Sequence, residues 1–135
     1  MLNILRVDEA KAKTPPEPDN FTGPVRMQRL SDEAGSRDFE IYAVFFDAGS
    51  RTRPHTHPGE QILVFVRGSG FVHLEGEEQQ PVDEGGIVVV PAGVVHMHGA
   101  LDDGPLCHIA TRSANGATNW SPPVPDEWQR YTKAQ

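Results

Sequence analysis

The chain has 135 residues, a length that suits one domain built around one hydrophobic core. Its 12 Lys and Arg against 19 Asp and Glu give a net charge of −7, and this acidic balance argues against binding to nucleic acid or to an anionic membrane surface. The single cysteine excludes a disulfide within the chain and is typical of a reducing compartment. The first charged side chain is Arg6, and the N-terminal residues lack the apolar run of a signal peptide or a membrane span. We therefore expect a cytoplasmic protein.

The first predicted element is a polar N-terminal arm. Residues 8–20 are rich in Pro and in charged side chains, which predicts an extended arm over residues 1–20. The domain itself is expected over residues 21–135. It contains nine short runs rich in β-branched and aromatic residues, separated by turn residues. The predicted strands are 25–30, 39–46, 52–57, 61–67, 70–75, 79–82, 87–90, 94–99 and 106–112.

This succession of short strands predicts an all-β domain, either a sandwich or a barrel. No window between residues 21 and 118 sustains the apolar period of a helix. Near the C-terminus, Pro125 and the two acidic residues after it favour one short helix. That helix would pack Trp128 or Tyr131 against the barrel.

Five of the six histidines fall in three segments of this strand pattern. Alternate residues of a strand share a face, so His55 and His57 present two imidazoles side by side. Gln61 begins the next strand, and His96 comes from a distant one. Neutral imidazoles bind Mn, Fe, Co, Ni, Cu and Zn, and three of them can hold an ion while leaving positions open for substrate or water.

The spacing of these residues resembles the two motifs of the cupin family. The first motif, G-x(5)-H-x-H-x(3)-E-x(6)-G, is matched from Gly49 to Gly68, with Gln61 in place of the usual Glu. The second, G-x(5)-P-x-G-x(2)-H-x(3)-N, is matched from Gly85 to His96, with Ala in place of the final Asn. The resemblance implies a single jelly-roll-type β-barrel that binds one divalent metal ion. The implied metal ligands are His55, His57, Gln61 and His96.

Gln61 offers a neutral amide oxygen where cupins usually offer a carboxylate. A site with this ligand keeps the full charge of the ion, which should make the metal a stronger Lewis acid and stabilise a ferric state less well. Glu60 is the alternative ligand, since it lies in the turn before the strand. A shift by one residue, however, reverses the face of a strand and breaks the spacing to Gly68.

A closer resemblance is to the small bacterial cupins that include manganese-dependent hydroxynitrile lyases. It rests on the segments HTHPGEQ, VVHMHGA and LCHIA and on the terminal Trp120 followed by DEW. In those enzymes the metal holds the substrate oxygen and a nearby His moves a proton, so the resemblance implies manganese as the cofactor and His108 as the catalytic base. Imidazole ligands also suit Fe, Zn, Ni or Co. The implied substrate-binding residues are Tyr42, Val44, His98 and Arg112.

Three other residues have less specific interpretations. His98 shares the parity of His96, so it faces either the barrel interior or the rim. Cys107 faces the side of its strand opposite to His108, which predicts a small buried residue rather than a nucleophile. His73 lies beside an acidic turn and is expected at the surface.

Three functions therefore remain open. The first is a metal-dependent lyase or acid–base enzyme acting on a small oxygenated substrate. The second is a metal-dependent dioxygenase, against which the missing carboxylate counts. The third is a non-catalytic module that binds a small ligand at the barrel mouth. In each case the partner is a small molecule, and the family resemblance implies a homodimer.

Overall fold

A computed structural model describes residues 2–132, in which ten strands form two antiparallel five-stranded sheets. The strands are β1 (Phe21–Thr22), β2 (Val25–Arg29), β3 (Phe39–Phe46), β4 (Arg51–Thr52), β5 (Gln61–Arg67), β6 (Gly70–Leu74), β7 (Gln80–Val82), β8 (Ile87–Val90), β9 (His96–Ala100) and β10 (Leu106–Ser113). The first sheet has the order β2-β3-β10-β5-β8 and the second has the order β1-β4-β9-β6-β7. Strands distant in sequence thus lie side by side, and the predicted all-β jelly-roll barrel is confirmed.

The hydrophobic core lies between the inner faces of the two sheets. Strand alternation explains its composition, because every second residue of β3, β5 and β10 points inward. The buried members from both sheets are Val25, Val44, Phe46, Leu63, Phe65, Val72, Val90, Ala100, Leu106 and Ala110. This core fills one end of the barrel and leaves the other end to polar side chains.

The N-terminal segment lies on the outer face of the first sheet. Leu5 and Val7 pack against a second buried cluster that includes Phe45 and Cys107. Lys13 forms a backbone bridge to Met27 on β2, with nitrogen-to-oxygen distances of 3.0 and 2.8 Å. Two short 3-10 turns, Glu9–Lys11 and Pro18–Asn20, interrupt the segment. At least part of the predicted arm over residues 1–20 is therefore packed against the barrel, and the domain boundary at residue 21 stays a prediction.

The C-terminal segment covers the outer face of the second sheet. A 3-10 helix, Asp126–Tyr131, begins directly after Pro125 as expected. It buries Trp128 against Phe71 and Met97. No helix among residues 2–132 is long and apolar enough to cross a membrane.

Two local elements differ from the prediction. A one-turn helix, α1 (Leu30–Ala34), follows β2 and ends at Gly35, whose φ is +65°. Five residues are too few to show an apolar period, so the sequence pattern missed it. The predicted strand 52–57 ends at Thr52, because Pro54 has no backbone N–H to donate and only single bridges follow it.

Gly68 shows why the family motif requires glycine between β5 and β6. Its φ is +77°, a conformation that other residues rarely adopt. A Cβ at this position would also overlap the carbonyl oxygen of Pro105. The turn between β5 and β6 therefore requires a residue without a Cβ.

Candidate metal centre

Five histidines and one glutamine meet at the polar end of the barrel, and none of the six exposes more than 6% of its surface. They come from β5, β9, β10 and the loop after β4, which the barrel brings together. The members of this histidine cluster are His55, His57, Gln61, His96, His98 and His108. Parity along β9 and β10 turns the even-numbered histidines inward, so His98 faces the barrel interior and not the outside.

Backbone carbonyls orient two of the predicted ligands. His55 Nδ1 lies 2.7 Å from the oxygen of Arg53, and His96 Nδ1 lies 2.9 Å from the oxygen of Val94. A carbonyl only accepts hydrogen bonds, so each ring donates through Nδ1 and keeps a lone pair on Nε2. This is the tautomer that binds a metal through Nε2, with the outward bond holding the ring in place.

Gln61 directs its amide oxygen toward Nε2 of His96. Its Oε1 lies 3.4 Å from His96 Nε2. Because His96 carries its hydrogen on Nδ1, both facing atoms are acceptors, and a cation between them would remove the repulsion of their lone pairs. Glu60 is exposed, whereas Gln61 is 6% exposed. The inward oxygen at this point of the barrel thus belongs to the amide and not to the neighbouring carboxylate.

His57 adds a further unpaired nitrogen. Its ring centroid lies 5.0 Å from that of His55 and 5.2 Å from that of His96. Its Nδ1 lies 3.1 Å from Thr118 Oγ1, and its Nε2 is buried without a hydrogen bond to the described residues. Leaving a buried nitrogen unpaired costs about 1–3 kcal/mol, which a bound ion would offset. These residues therefore fit a divalent metal ion.

His98 and His108 form a hydrogen-bonded pair next to these residues. His98 Nδ1 lies 2.9 Å from His108 Nε2. The Nε2 of His98 has no hydrogen bond within residues 2–132. Candidate ligand atoms of His55, His96 and His98 all lie within 4.8 Å of one another, so these three buried histidines can hold a metal ion. This trio shares two residues with the predicted ligand set and has His98 where that set has His57 and Gln61.

Burial keeps all five histidines neutral. It lowers the pKa of His57 to about 3 and those of His96 and His108 to about 4. Burial first, and then the neighbouring imidazoles, hold the pKa values of His55 and His98 well below the ordinary value of 6.5. Neutral imidazoles at pH 7 are what both metal binding and proton abstraction require.

A cavity of about 440 Å³ opens beside the histidine cluster. All of the predicted pocket residues and the predicted base lie in its wall, namely Tyr42, Val44, His98, His108 and Arg112. Phe21, Phe46 and Trp120 add aromatic surface to the same wall. The cavity can therefore take a small molecule with an apolar body.

The outer end of the cavity is polar. Glu40 Oε2 accepts hydrogen bonds from Arg112 Nη2 at 2.8 Å and from the Tyr42 hydroxyl at 2.7 Å. The ion pair is largely sheltered, with the Arg112 side chain 13% exposed. Burial, and then the neighbouring Glu40, raise the pKa of Tyr42 to about 12, so its hydroxyl stays protonated.

Sequence reasoning gave no role to Glu40 or Thr118. Glu40 has the strand parity of Tyr42 and Val44, and that signal places it on the same inward face. Thr118 lies after the last strand in an irregular segment, where no period indicates direction. Only the folded chain shows that its hydroxyl reaches His57.

Comparison with known proteins agrees with the fold. Residues 43–111, about half of the chain, match the cupin domain family. The chain belongs to the cupin family.

Individual relatives cover nearly the whole chain. The (R)-mandelonitrile lyase of Granulicella tundricola is 33% identical over 132 residues, which are 96% of this chain and 99% of that protein. A cupin-like protein of known structure from Thermotoga maritima is 34% identical with a TM-score of 0.77, over 96% of this chain and 100% of that one. A polyketide cyclase from Streptomyces resistomycificus has a TM-score of 0.73 at 18% identity, over 87% of this chain and 84% of that one, and shares the fold alone.

Proposed function

We propose that this cupin is a divalent-metal-dependent lyase that cleaves or forms a cyanohydrin. The observation that carries the proposal is the buried pair of His98 and His108 in the wall of the cavity, directly beside the candidate metal ligands. Likeness to the (R)-mandelonitrile lyase over 96% of the chain supports the same reaction class. The apolar cavity wall suits an aryl or alkyl group next to the reacting carbon.

The proposed metal ligands are His55, His57, Gln61 and His96. Each has a lone pair available at the centre, and burial keeps the three histidines of this set neutral. A divalent ion held there supplies Lewis-acid polarisation of a substrate oxygen. We propose manganese, since the set has nitrogen and amide oxygen donors and no thiolate, although Fe, Zn, Ni and Co share this preference.

The histidine pair would move the proton. Cleavage of a cyanohydrin removes the hydroxyl proton, breaks the bond to the nitrile carbon, and leaves the electron pair of that bond on cyanide. His98 Nε2 accepts the hydroxyl proton while His98 Nδ1 passes its own proton to His108 Nε2, 2.9 Å away. The charge then resides on His108, and the proton returns along the same path to cyanide, which leaves as hydrogen cyanide. His108 thus acts as the final base of a two-histidine relay.

Turnover of mandelonitrile by manganese-loaded protein tests this function, with benzaldehyde absorbance as the readout. His98→Ala and His108→Ala should each keep bound metal and lose roughly two to four orders of magnitude in rate. His73→Ala is the matched control, because His73 lies outside the cavity wall. A rate that both cavity variants leave unchanged would contradict the relay.

The two alternative functions give different outcomes in the same samples. Oxygen uptake by the Fe(II)-loaded protein, without cleavage of mandelonitrile, would favour a dioxygenase. Tight metal binding without turnover of cyanohydrins, aldehydes or β-diketones would favour a module that only binds a small ligand.

A further inference from the structure

Residues 116–120, here called the strap, follow β10 and form part of the cavity wall. The strap pairs with the loop that carries two of the proposed ligands. Thr56 N donates to the oxygen of Asn119, and Asn119 N donates to the oxygen of Thr56, both at 3.0 Å. Since Thr56 lies between His55 and His57, the strap supports the backbone of both histidines from the outer edge.

Gly116, the first residue of the strap, packs against Pro58 of the same loop. Gly116 has a φ of +85°, and a Cβ there would lie 2.6 Å from Pro58 Cγ. The oxygen of Gly116 also accepts a hydrogen bond from Arg112 Nη1 at 3.2 Å. Close backbone approach, which only glycine permits, therefore brings the strap into contact with the ligand loop.

Thr118 gives His57 its outward hydrogen bond, at 3.1 Å between Oγ1 and Nδ1. The other two proposed histidine ligands use backbone carbonyls for this purpose. His57 thus depends on one side chain in an irregular segment, and removal of that hydroxyl leaves its ring without an orienting partner at Nδ1.

Trp120 makes the second contact between the strap and the proposed ligands. Its ring stacks on His55, with centroids 4.2 Å apart and an angle of 26° between the planes. The Trp120 ring also contacts Phe21, with ring centroids 5.9 Å apart. A displaced strap would therefore release both histidines of the loop at once.

We propose that Thr118 is a positioning residue for the metal centre, and that the strap and a bound ion stabilise each other. This inference rests on the metal centre proposed above. In the tautomer that binds an ion through Nε2, His57 Nδ1 donates its hydrogen to the Thr118 oxygen, and this bond holds the ring with the Nε2 lone pair toward the ion. Coupling between ion binding and strap packing is reciprocal. An ion that binds better when the strap is packed on the loop must therefore also stabilise the packed strap.

The first experiment measures the affinity for Mn²⁺, from the electron paramagnetic resonance signal of the free ion. Thr118→Val should weaken binding by about tenfold, the lower end of the range for residues that orient metal ligands. Thr118→Ser restores the hydroxyl and should bind as the wild type does. Thr22→Val is the control, since Thr22 is exposed on β1 and makes the same chemical change away from the site.

The second experiment measures hydrogen exchange of the strap amides with and without Mn²⁺. Mn²⁺ should slow exchange of the Asn119 amide in the wild type, and the protection should shrink in Thr118→Val. Trp120→Leu provides a second variant with the same expected direction, should Thr118→Val fail to fold by circular dichroism.

The outcomes separate the two proposals. A wild-type protein that binds no divalent metal contradicts the metal centre itself. A wild type that binds Mn²⁺, with Thr118→Val equally tight and the strap amides indifferent to the ion, overturns the role of the strap alone. Equal weakening in Thr118→Ser and Thr118→Val also overturns it, because the hydroxyl would then have no part.

Discussion

At the scale of single residues, the defining feature of the proposed metal centre is that none of its four proposed ligands carries a negative charge. Gln61 places an amide oxygen 3.4 Å from His96 Nε2, while the adjacent Glu60 is exposed. Three neutral imidazoles and a neutral amide leave the whole charge of an ion uncompensated by its ligands. Such an ion attracts a substrate oxygen more strongly, at some loss of its own affinity for the protein.

Substitutions at Gln61 should reveal this balance. Gln61→Glu should tighten divalent metal by on the order of tenfold or more, because a carboxylate adds direct charge attraction in a buried site. Gln61→Ala should weaken binding. Chelator competition measures both, and Glu60→Gln is the matched control that should leave affinity unchanged. If Glu60→Gln removed the metal while Gln61→Ala did not, the ligand would be misassigned.

At the scale of elements, the two chain ends stabilise the barrel by covering its outer faces. The N-terminal segment is held to β2 by Gln28, which is 1% exposed. Gln28 Oε1 accepts from the backbone N–H of Asp8 at 2.8 Å, and its Nε2 donates to the oxygen of Arg6 and to Glu33 at 3.0 and 2.9 Å. One side chain thereby connects the segment, the strand and α1.

Gln28→Leu should destabilise the fold by about 2–3 kcal/mol, since it removes these hydrogen bonds and leaves backbone groups unpaired. Thermal unfolding followed by circular dichroism measures the loss. Gln80→Leu on β7 makes the same change at an exposed position and should alter the midpoint little. Equal midpoints for the two variants would show that the hydrogen bonds of Gln28 contribute nothing to stability.

At the scale of the whole molecule, burying five neutral histidines makes stability depend on pH. The unfolded chain protonates histidine near pH 6.5, whereas the folded protein holds the pKa of His57 at about 3 and those of His96 and His108 at about 4. Between these limits the unfolded state binds more protons, so acidification favours unfolding.

We therefore expect the metal-free protein to lose stability as pH falls from 7 to 5. The slope below pH 6 should approach about 1.4 kcal/mol per pH unit for each histidine that remains neutral in the fold. Urea unfolding of chelator-treated protein at several pH values measures it. His108→Gln should flatten the dependence, and a stability that stays constant from pH 7 to 5 would contradict the neutral cluster.

The outer face of the first sheet also bears on assembly. Beyond the part that the N-terminal segment covers, Ile62, Ile87 and Val89 are 42%, 68% and 55% exposed. Leu2 and Ile4 of the segment are 82% and 81% exposed. Apolar side chains grouped on one face are typical of protein interfaces.

A second copy of the chain is the partner we expect on this face. Light scattering should give the mass of a homodimer, and Ile87→Lys should shift it toward the monomer. Gln79→Lys adds the same charge at an exposed position before β7 and should leave the mass unchanged. A monomeric wild type at all accessible concentrations would contradict the dimer.

Local pattern in the sequence was sufficient for the family resemblance and for most strands. Spacing from Gly49 to His96 identified the barrel motifs, and parity grouped His98 with His96, but it left open whether His98 and His108 face the barrel interior. These features can be predicted from the sequence because strand alternation and the need for glycine at positive φ depend on residues that are close along the chain.

Other features depended on tertiary structure. They include the short helix after β2, the packed N-terminal segment, the hydrogen bond between His98 and His108, and the contact of Thr118 with His57. No periodic pattern in the sequence predicts these features. Their geometry depends on which strands pair and in what register, and on where irregular segments come to rest. For that reason the sequence by itself determined a cupin barrel with candidate ligands, whereas only the folded chain decided that His55 and His96 turn Nε2 toward the centre.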